Sequence, residues 1–262
     1  MKRERIDKLL IDLGFAATLG KAQALVMSGV VLVNDQRIGK PSQEFFLTDN
    51  IRLKGSSDEI KYVGRGGLKL EKALQAFHIC VSQYVCLDVG ASTGGFTDCL
   101  LQHGAKKLVT VDVGTNQLVW KLRNDERIEV HEKLNARFLK PEDFTEKFDL
   151  IVMDVSFISV TKILPALIGL LSQNGRIIVL IKPQFEVGKG DVGPGGIVRD
   201  GSKHAEVVEK INRFADNIGL KNSGLIDSPI LGADGNKEFL ALYEKVESRP
   251  SGLEANSEDN EN

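Results

Sequence analysis

Residues Cys86-Leu-Asp-Val-Gly-Ala-Ser-Thr-Gly-Gly-Phe-Thr-Asp98 constrain the fold more than any other stretch of the chain. Apolar residues at 85–89 suit a strand of a parallel sheet covered on both faces. Gly90, Gly94 and Gly95 then permit a tight turn and a close approach of backbone to ligand. They fall at the carboxyl end of a strand, where open α/β sheets bind cofactors. The glycine spacing departs from the dinucleotide pattern G-x-G-x-x-G, and an acid, Asp88, still lies within the strand. A nucleotide-type ligand is expected here; the plainer alternative is a strand-to-helix turn with no ligand.

From Tyr84 onward, strand-like runs alternate with helical patterns, which argues for a parallel α/β sheet. Strands are expected at 84–89, 107–113, 127–131, 148–154 and 176–182, and helices at 95–103, 117–123, 160–172 and 202–218. The segment from Asp227 to Glu244, with a Gly-Ala-Asp-Gly-Asn turn inside it, reads as a closing hairpin. No apolar run nears the roughly 20 residues a membrane helix requires. The charged start, Met-Lys-Arg-Glu-Arg-Ile-Asp-Lys, lacks the apolar core of a secretory signal. Cys80, Cys86 and Cys99 have no paired metal spacing and fit reduced thiols. These features predict a cytoplasmic protein with no membrane partner and no resident metal.

Charge divides the chain. Residues 1–75 hold 13 Lys/Arg against 9 Asp/Glu, which hints at a polyanion partner. The last sixteen residues hold one arginine and five acids, and this Ser/Asn/Glu-rich end reads as a disordered tail. The expected division is a first domain over 1–60, a second over 61–246 and a tail over 247–262. In the first, Ile6, Leu9, Leu10 and Leu13 recur at helical spacing and Gly14 can end that helix; a second helix covers about 19–27. Val30–Val33 before Asn34-Asp35, and Asn50–Leu53, read as short strands, and Gly55-Ser-Ser-Asp58 as the start of a linker.

This α+β segment resembles the S-four RNA-binding module in Arg5-Ile6-Asp7, Leu10, Gly14, Ala22, Gly29, Val31-Leu-Val-Asn34, Lys40-Pro41 and Asp49. The family usually has Ser-Arg where Thr18-Leu19 stands here, so one phosphate contact is missing. Lys2, Arg3, Arg5, Lys8, Lys21, Arg37 and Lys40 remain as candidate contacts that would position RNA without reading its sequence.

Four strand ends carry chemistry. Asp112 ends the second strand, where a carboxylate can accept both hydroxyls of a ligand ribose. Asp154 follows the apolar fourth strand, and Lys182 follows five apolar residues and precedes a proline. With Asp88 they converge on one sheet edge. Lys69, in Gly64-Arg-Gly-Gly-Leu-Lys69, and Glu238, opening the last strand, join them. The Asp-x-Gly-x-x-x-Gly-Gly-Phe loop resembles the S-adenosylmethionine loop of class I methyltransferases. The whole set, with Ile181-Lys-Pro-Gln-Phe-Glu-Val-Gly-Lys-Gly and Gly195-Gly-Ile-Val-Arg-Asp200, resembles the TlyA-type ribosomal RNA ribose methyltransferases, in which an S-four module precedes an FtsJ-like catalytic domain. The resemblance covers residues 3–245.

It implies a Rossmann-like class I fold with a seven-stranded, mostly parallel sheet and an antiparallel last strand. It implies S-adenosylmethionine as cofactor, held by Asp88, Gly90, Gly94, Gly95, Phe96, Asp112, Asn135 and Asp154. It implies a Lys-Asp-Lys-Glu tetrad for 2′-O-methylation at Lys69, Asp154, Lys182 and Glu238, acting on cytidine in the ribosomal RNA of ribosomal subunits. A monomer is expected. A free lysine, with pKa about 10.4, is a poor base unless burial or a neighbouring cation lowers it. Lys182 is therefore either a base perturbed by Lys69 or a charged stabiliser of the developing alkoxide. Arg65, Lys189 and Arg199 are further RNA candidates, the latter two on a Gly-rich segment, 187–196, read as a mobile lid. Three other readings compete: a membrane-active protein, since the family often carries a haemolysin label, a catalytically silent assembly factor, and an oxidoreductase.

Overall fold

Apolar spacing builds two short helices in the first part of the chain. The computed structural model describes residues 3–13, 15–16, 18–34, 36–46, 49, 51–53, 61–232 and 235–246. The chain divides into two compact units, Met1–Lys61 and Tyr62–Asn262. The expected roles of Lys2, Gly14, Asp35, Asn50, the 55–58 linker and the 247–262 tail fall outside the described residues.

In the first unit, α1 (Ile6–Asp12) and α2 (Leu19–Met27) bury Ile6, Leu9, Leu10, Ala22 and Val26 against Val31 and Val33. Thr18 caps α2, its Oγ1 accepting the Lys21 N–H at 3.3 Å. Strand β2 (Val31–Val33) lies between β3 (Gln36–Arg37) and β5 (Ile51–Leu53), antiparallel to both. A second ribbon pairs β1 (Arg3–Arg5) with β4 (Glu44–Phe46). Its charged sequence gives no period-two signal. The Arg3 guanidinium stacks over Phe46 at 4.9 Å, which pins the register.

The second unit is one seven-stranded sheet. Its strands are β6 (Val85–Val89), β7 (Lys107–Asp112), β8 (Ile128–Glu132), β9 (Phe148–Met153), β10 (Leu171–Ile181), β11 (Leu220–Asp227) and β12 (Phe239–Lys245). They lie in the order β11-β12-β10-β9-β6-β7-β8, with β12 alone antiparallel to its neighbours. Alternate residues separate two cores. Ile177, Val179 and Ile181 face one layer with α6 (Leu164–Ile168) and α7 (Gly201–Asn217). Ile178 and Leu180 face the other with α3 (Gly66–Ala76) and α4 (Gly95–Gln102).

Three expectations change. The helix expected over 160–172 is a 3₁₀ turn at Val160–Lys162 followed by the short α6, after which Leu171 pairs with Phe148. A buried apolar run does not distinguish helix from strand, and Pro165 and Gly169 bracket the helix that forms. Strand β10 therefore begins before residue 176 and absorbs the irregular Asn174-Gly175 through a register shift. The helix expected over 117–123 shortens to α5 (Trp120–Arg123).

Candidate active site

Strands β7 and β8 extend the sheet to one side of β6, and the chain then returns to lay β9 on its other side. The crossovers diverge at that point and leave a crevice at the carboxyl ends of β6 and β9. Gly90 ends β6 at φ +82°, and a Cβ there would stand 2.4 Å from the Asp154 carbonyl oxygen. Glycine lets the two strand ends touch. Beside them lies a cavity of about 410 Å³, lined by Gly90, Asp112, Asn135, Asp154, Ser156 and Phe157 among others. That is within the range of small-molecule sites, about 300–1,000 Å³. A smaller one of about 190 Å³ is lined by Arg65, Gly95, Phe96, Asp154, Ser156 and Lys182 among others. Gly90, Ser92, Asp154 and Ser156 line both.

Asp112 is held in place: Oδ1 accepts the Gly114 N–H at 2.8 Å and Oδ2 the Ser92 N–H at 2.9 Å. Asn135 borders the larger cavity while its Oδ1 accepts the Arg137 N–H at 3.1 Å. Two residues expected to hold the cofactor line neither cavity. Asp88 is fully buried, and its Oδ2 accepts from Thr97 Oγ1 at 2.6 Å on α4. Burial pushes its carboxyl up to about 7; the Thr97 hydrogen bond opposes that rise and the nearby Asp154 charge adds to it. Gly94 adopts φ +99°, and a Cβ there would meet Leu122 Cδ1 at 2.3 Å, so this glycine serves the packing of the loop.

The four residues of the Lys-Asp-Lys-Glu set form two ion pairs at one end of the sheet. Lys69 Nζ donates to Glu238 Oε2 at 2.5 Å, with the residues 8% and 3% exposed. Lys182 Nζ stands 2.6 Å from Asp154 Oδ1, a charge contact without hydrogen-bond alignment, and donates to Ser156 Oγ at 2.9 Å. The register explains the juxtaposition. Ile181 faces Phe239, so one step further along each strand Lys182 is opposite Glu238. Gly66, three residues before Lys69, packs by Asp154: a Cβ there would lie 3.9 Å from Oδ2.

The candidate RNA contacts have mixed surroundings. Arg5 is tied to Asp7 through Nε at 3.0 Å and Nη2 at 2.6 Å, and this pair holds the Asp7 carboxyl below its usual range. Arg3 covers Phe46, and Lys8 lies 3.5 Å from Glu4. Lys21, Arg37 and Lys40 are exposed, as are Arg65 and Arg199 in the second unit. The Lys189 side chain is outside the described residues. The far end of the expected lid is fastened. Asn236, 1% exposed, accepts from the Val198 N–H at 3.0 Å and donates to the Gly196 carbonyl at 2.9 Å.

Sequence reasoning missed Ser156, which lines both cavities, and Glu186 and Asn236, which brace neighbouring loops. Ser156 carries one signal, a position two residues beyond a strand-end acid. Glu186 is buried; its Oε2 accepts from Ser159 Oγ at 2.6 Å and its Oε1 from the Val160 N–H at 2.8 Å. Both partners are distant in sequence, so nothing local marks them.

Comparison with known proteins bears on the fold and the order of its parts. The profile of the FtsJ-like methyltransferase family matches residues 62–245, and that of the S4 domain matches residues 4–45. A Bacillus subtilis protein named "Putative rRNA methyltransferase YqxC" is 48% identical over 240 residues, 91% of this chain and 85% of that protein. The Mycobacterium tuberculosis "16S/23S rRNA (cytidine-2'-O)-methyltransferase TlyA" is 44% identical over 239 residues, 91% of this chain and 88% of that protein. A solved structure described as "Putative hemolysin from Streptococcus thermophilus" superposes with a TM-score of 0.74 at 46% identity, covering 95% of this chain and 90% of that one. An S4 domain followed by this sheet, with relatives of like length on both, places the chain in the FtsJ-like methyltransferase family.

Proposed function

We propose that this protein methylates the 2′-hydroxyl of a cytidine ribose in ribosomal RNA, with S-adenosylmethionine as methyl donor. The observation that carries the reading is the Lys182 ammonium, held between Asp154 and Ser156 on the wall of one cavity, while Asp154 and Ser156 also line its larger neighbour. A charged donor therefore stands where two cavities meet, as a reaction between two bound partners requires.

The residues of the larger cavity fit the cofactor. Asp112, oriented by two backbone N–H groups, would accept the ribose hydroxyls, Asn135 would meet the adenine edge, and Gly90 gives the backbone clearance. When bound, the cofactor would supply an electrophilic methyl group to the ribose oxygen, with the bonding electron pair left on sulfur and the hydroxyl proton passing to solvent water. Lys182 acts as a charged donor that stabilises the oxygen as negative charge develops. Asp154 flanks that ammonium, and the Lys69–Glu238 pair holds the first turn of α3 against the residue that precedes β12. In the first unit, exposed Lys21, Arg37 and Lys40 supply phosphate contacts.

The experiment is transfer of labelled methyl from S-adenosylmethionine to ribosomal subunits that lack the modification. The wild type is expected to label RNA and Lys182→Ala to lose the label. Wild-type protein that labels neither subunit and binds no cofactor in calorimetry refutes the reading. The name of the Streptococcus relative gives the second outcome to score, since cell lysis retained by Lys182→Ala favours a membrane activity instead. Among the described residues no helix is long and apolar enough to cross a membrane.

A further inference from the structure

We infer that Ser156 is a positioning residue for methyl transfer: its hydroxyl anchors one N–H of the Lys182 ammonium beside the Asp154 charge, which turns a free N–H toward the substrate oxygen. The inference rests on the function proposed above and deepens it at the same site. A lysine ammonium has three donors and no acceptor, and a bare side chain turns freely about its terminal bonds. Here Ser156 Oγ accepts from Nζ at 2.9 Å while Asp154 Oδ1 lies 2.6 Å away. The Ser156 bond takes one N–H and the Asp154 charge flanks the ammonium, so N–H groups remain for a ligand, and Lys182 lines the smaller cavity.

The loop that carries Ser156 is built to hold it there. Phe157, the next residue, adopts φ +64°, a left-handed conformation uncommon for a bulky side chain. Its ring lies 5.0 Å from that of Phe185. Three residues beyond Ser156 the Glu186 carboxylate grips Ser159 and the Val160 N–H. Phe185 and Glu186 belong to the same turn as Lys182. Lys182, Phe185 and Glu186 thus each join segment 182–186 to segment 154–160, with the Lys182 contacts nearest the cavities. A role in folding alone would not require the innermost bond to end on a cavity-lining lysine.

Ser156 is exposed, so its replacement by alanine leaves the core untouched. Ser156→Ala is expected to bind S-adenosylhomocysteine in calorimetry as the wild type does. Its kcat for labelling unmodified subunits falls roughly tenfold or more, the worth of a hydrogen bond to a charged group, with KM for RNA and cofactor within about twofold. Ser156→Thr, which keeps the hydroxyl, recovers most of kcat. A Ser156→Ala kcat within about twofold of wild type overturns the inference, as does equal impairment of the alanine and threonine variants. Activity retained by Lys182→Ala would instead overturn the proposed function, so the two failures are distinguishable.

Discussion

Replacing Lys69 with methionine tests how firmly the buried pair is built. Methionine keeps most of the length and apolar stem of lysine and removes the charge. Glu238, 3% exposed, then loses its ion-pair partner, the ammonium that now stands 2.5 Å away. Removing one partner of a buried ion pair costs about 3–5 kcal/mol, because the remaining charge has lost both water and its counterion. The surroundings leave little room for relief. A Cβ on Gly232 would stand 2.4 Å from Glu238 Oε1, so the turn encloses the carboxylate. Glu238→Gln on the same background removes the stranded charge. The double variant should therefore recover about 2 kcal/mol or more of the loss. Urea denaturation of the full chain, followed by far-UV circular dichroism with the larger unit's transition fitted separately, reads these differences. A Lys69→Met cost below about 1 kcal/mol, or a double variant no more stable than the single one, refutes this reasoning.

Gly90→Ala should cost about 1–2 kcal/mol from its positive φ alone. The added contact with the Asp154 carbonyl should weaken S-adenosylhomocysteine binding at least tenfold in calorimetry. Asp88 predicts a pH dependence. Its carboxyl is raised from 3.8 to about 7 in the fold, so the folded state binds the extra proton between those values. Stability from this group is full below about pH 4, declines as pH rises through 7 and is lost above it. Asp88→Asn should remove that decline, so the variant gains on the wild type between pH 5 and pH 8 in urea melts; a constant difference contradicts the burial argument. In the first unit, Lys40→Ala should lower RNA affinity and make its salt dependence shallower by about one ion, in filter binding across a salt series. Arg5→Gln should mainly destabilise the unit, because Arg5 is bound to buried Asp7.

The central strands β6, β7, β9 and β10 were legible because each carries a mostly apolar run that leads into a glycine, acid or lysine, and those ends sit where such a sheet places its ligands. Lys182, Asp154 and Asp112 could be chosen from one chain for that reason. The sequence was silent on contacts made across it. Lys69 lies on a helix that opens with two glycines, and only the antiparallel register of β10 and β12 brings Glu238 beside Lys182. Asp88 shows the reverse. An acid in a strand before a glycine turn suggested a ligand, whereas side-chain alternation points it at Thr97 in the core. The strand β1, Arg-Glu-Arg, was invisible because its pairing depends on Phe46 and Asp7 rather than on its own pattern.

The central claim is that the methyl group goes to a ribose oxygen. Ribosomal subunits labelled by the protein from methyl-tritiated S-adenosylmethionine can be hydrolysed in alkali, which cleaves RNA only beside a free 2′-hydroxyl. Label recovered in an alkali-resistant dinucleotide beginning with cytidine, and absent with Lys182→Ala, is the predicted result. Label recovered in mononucleotides, which places the methyl on a base, contradicts the function proposed for this site.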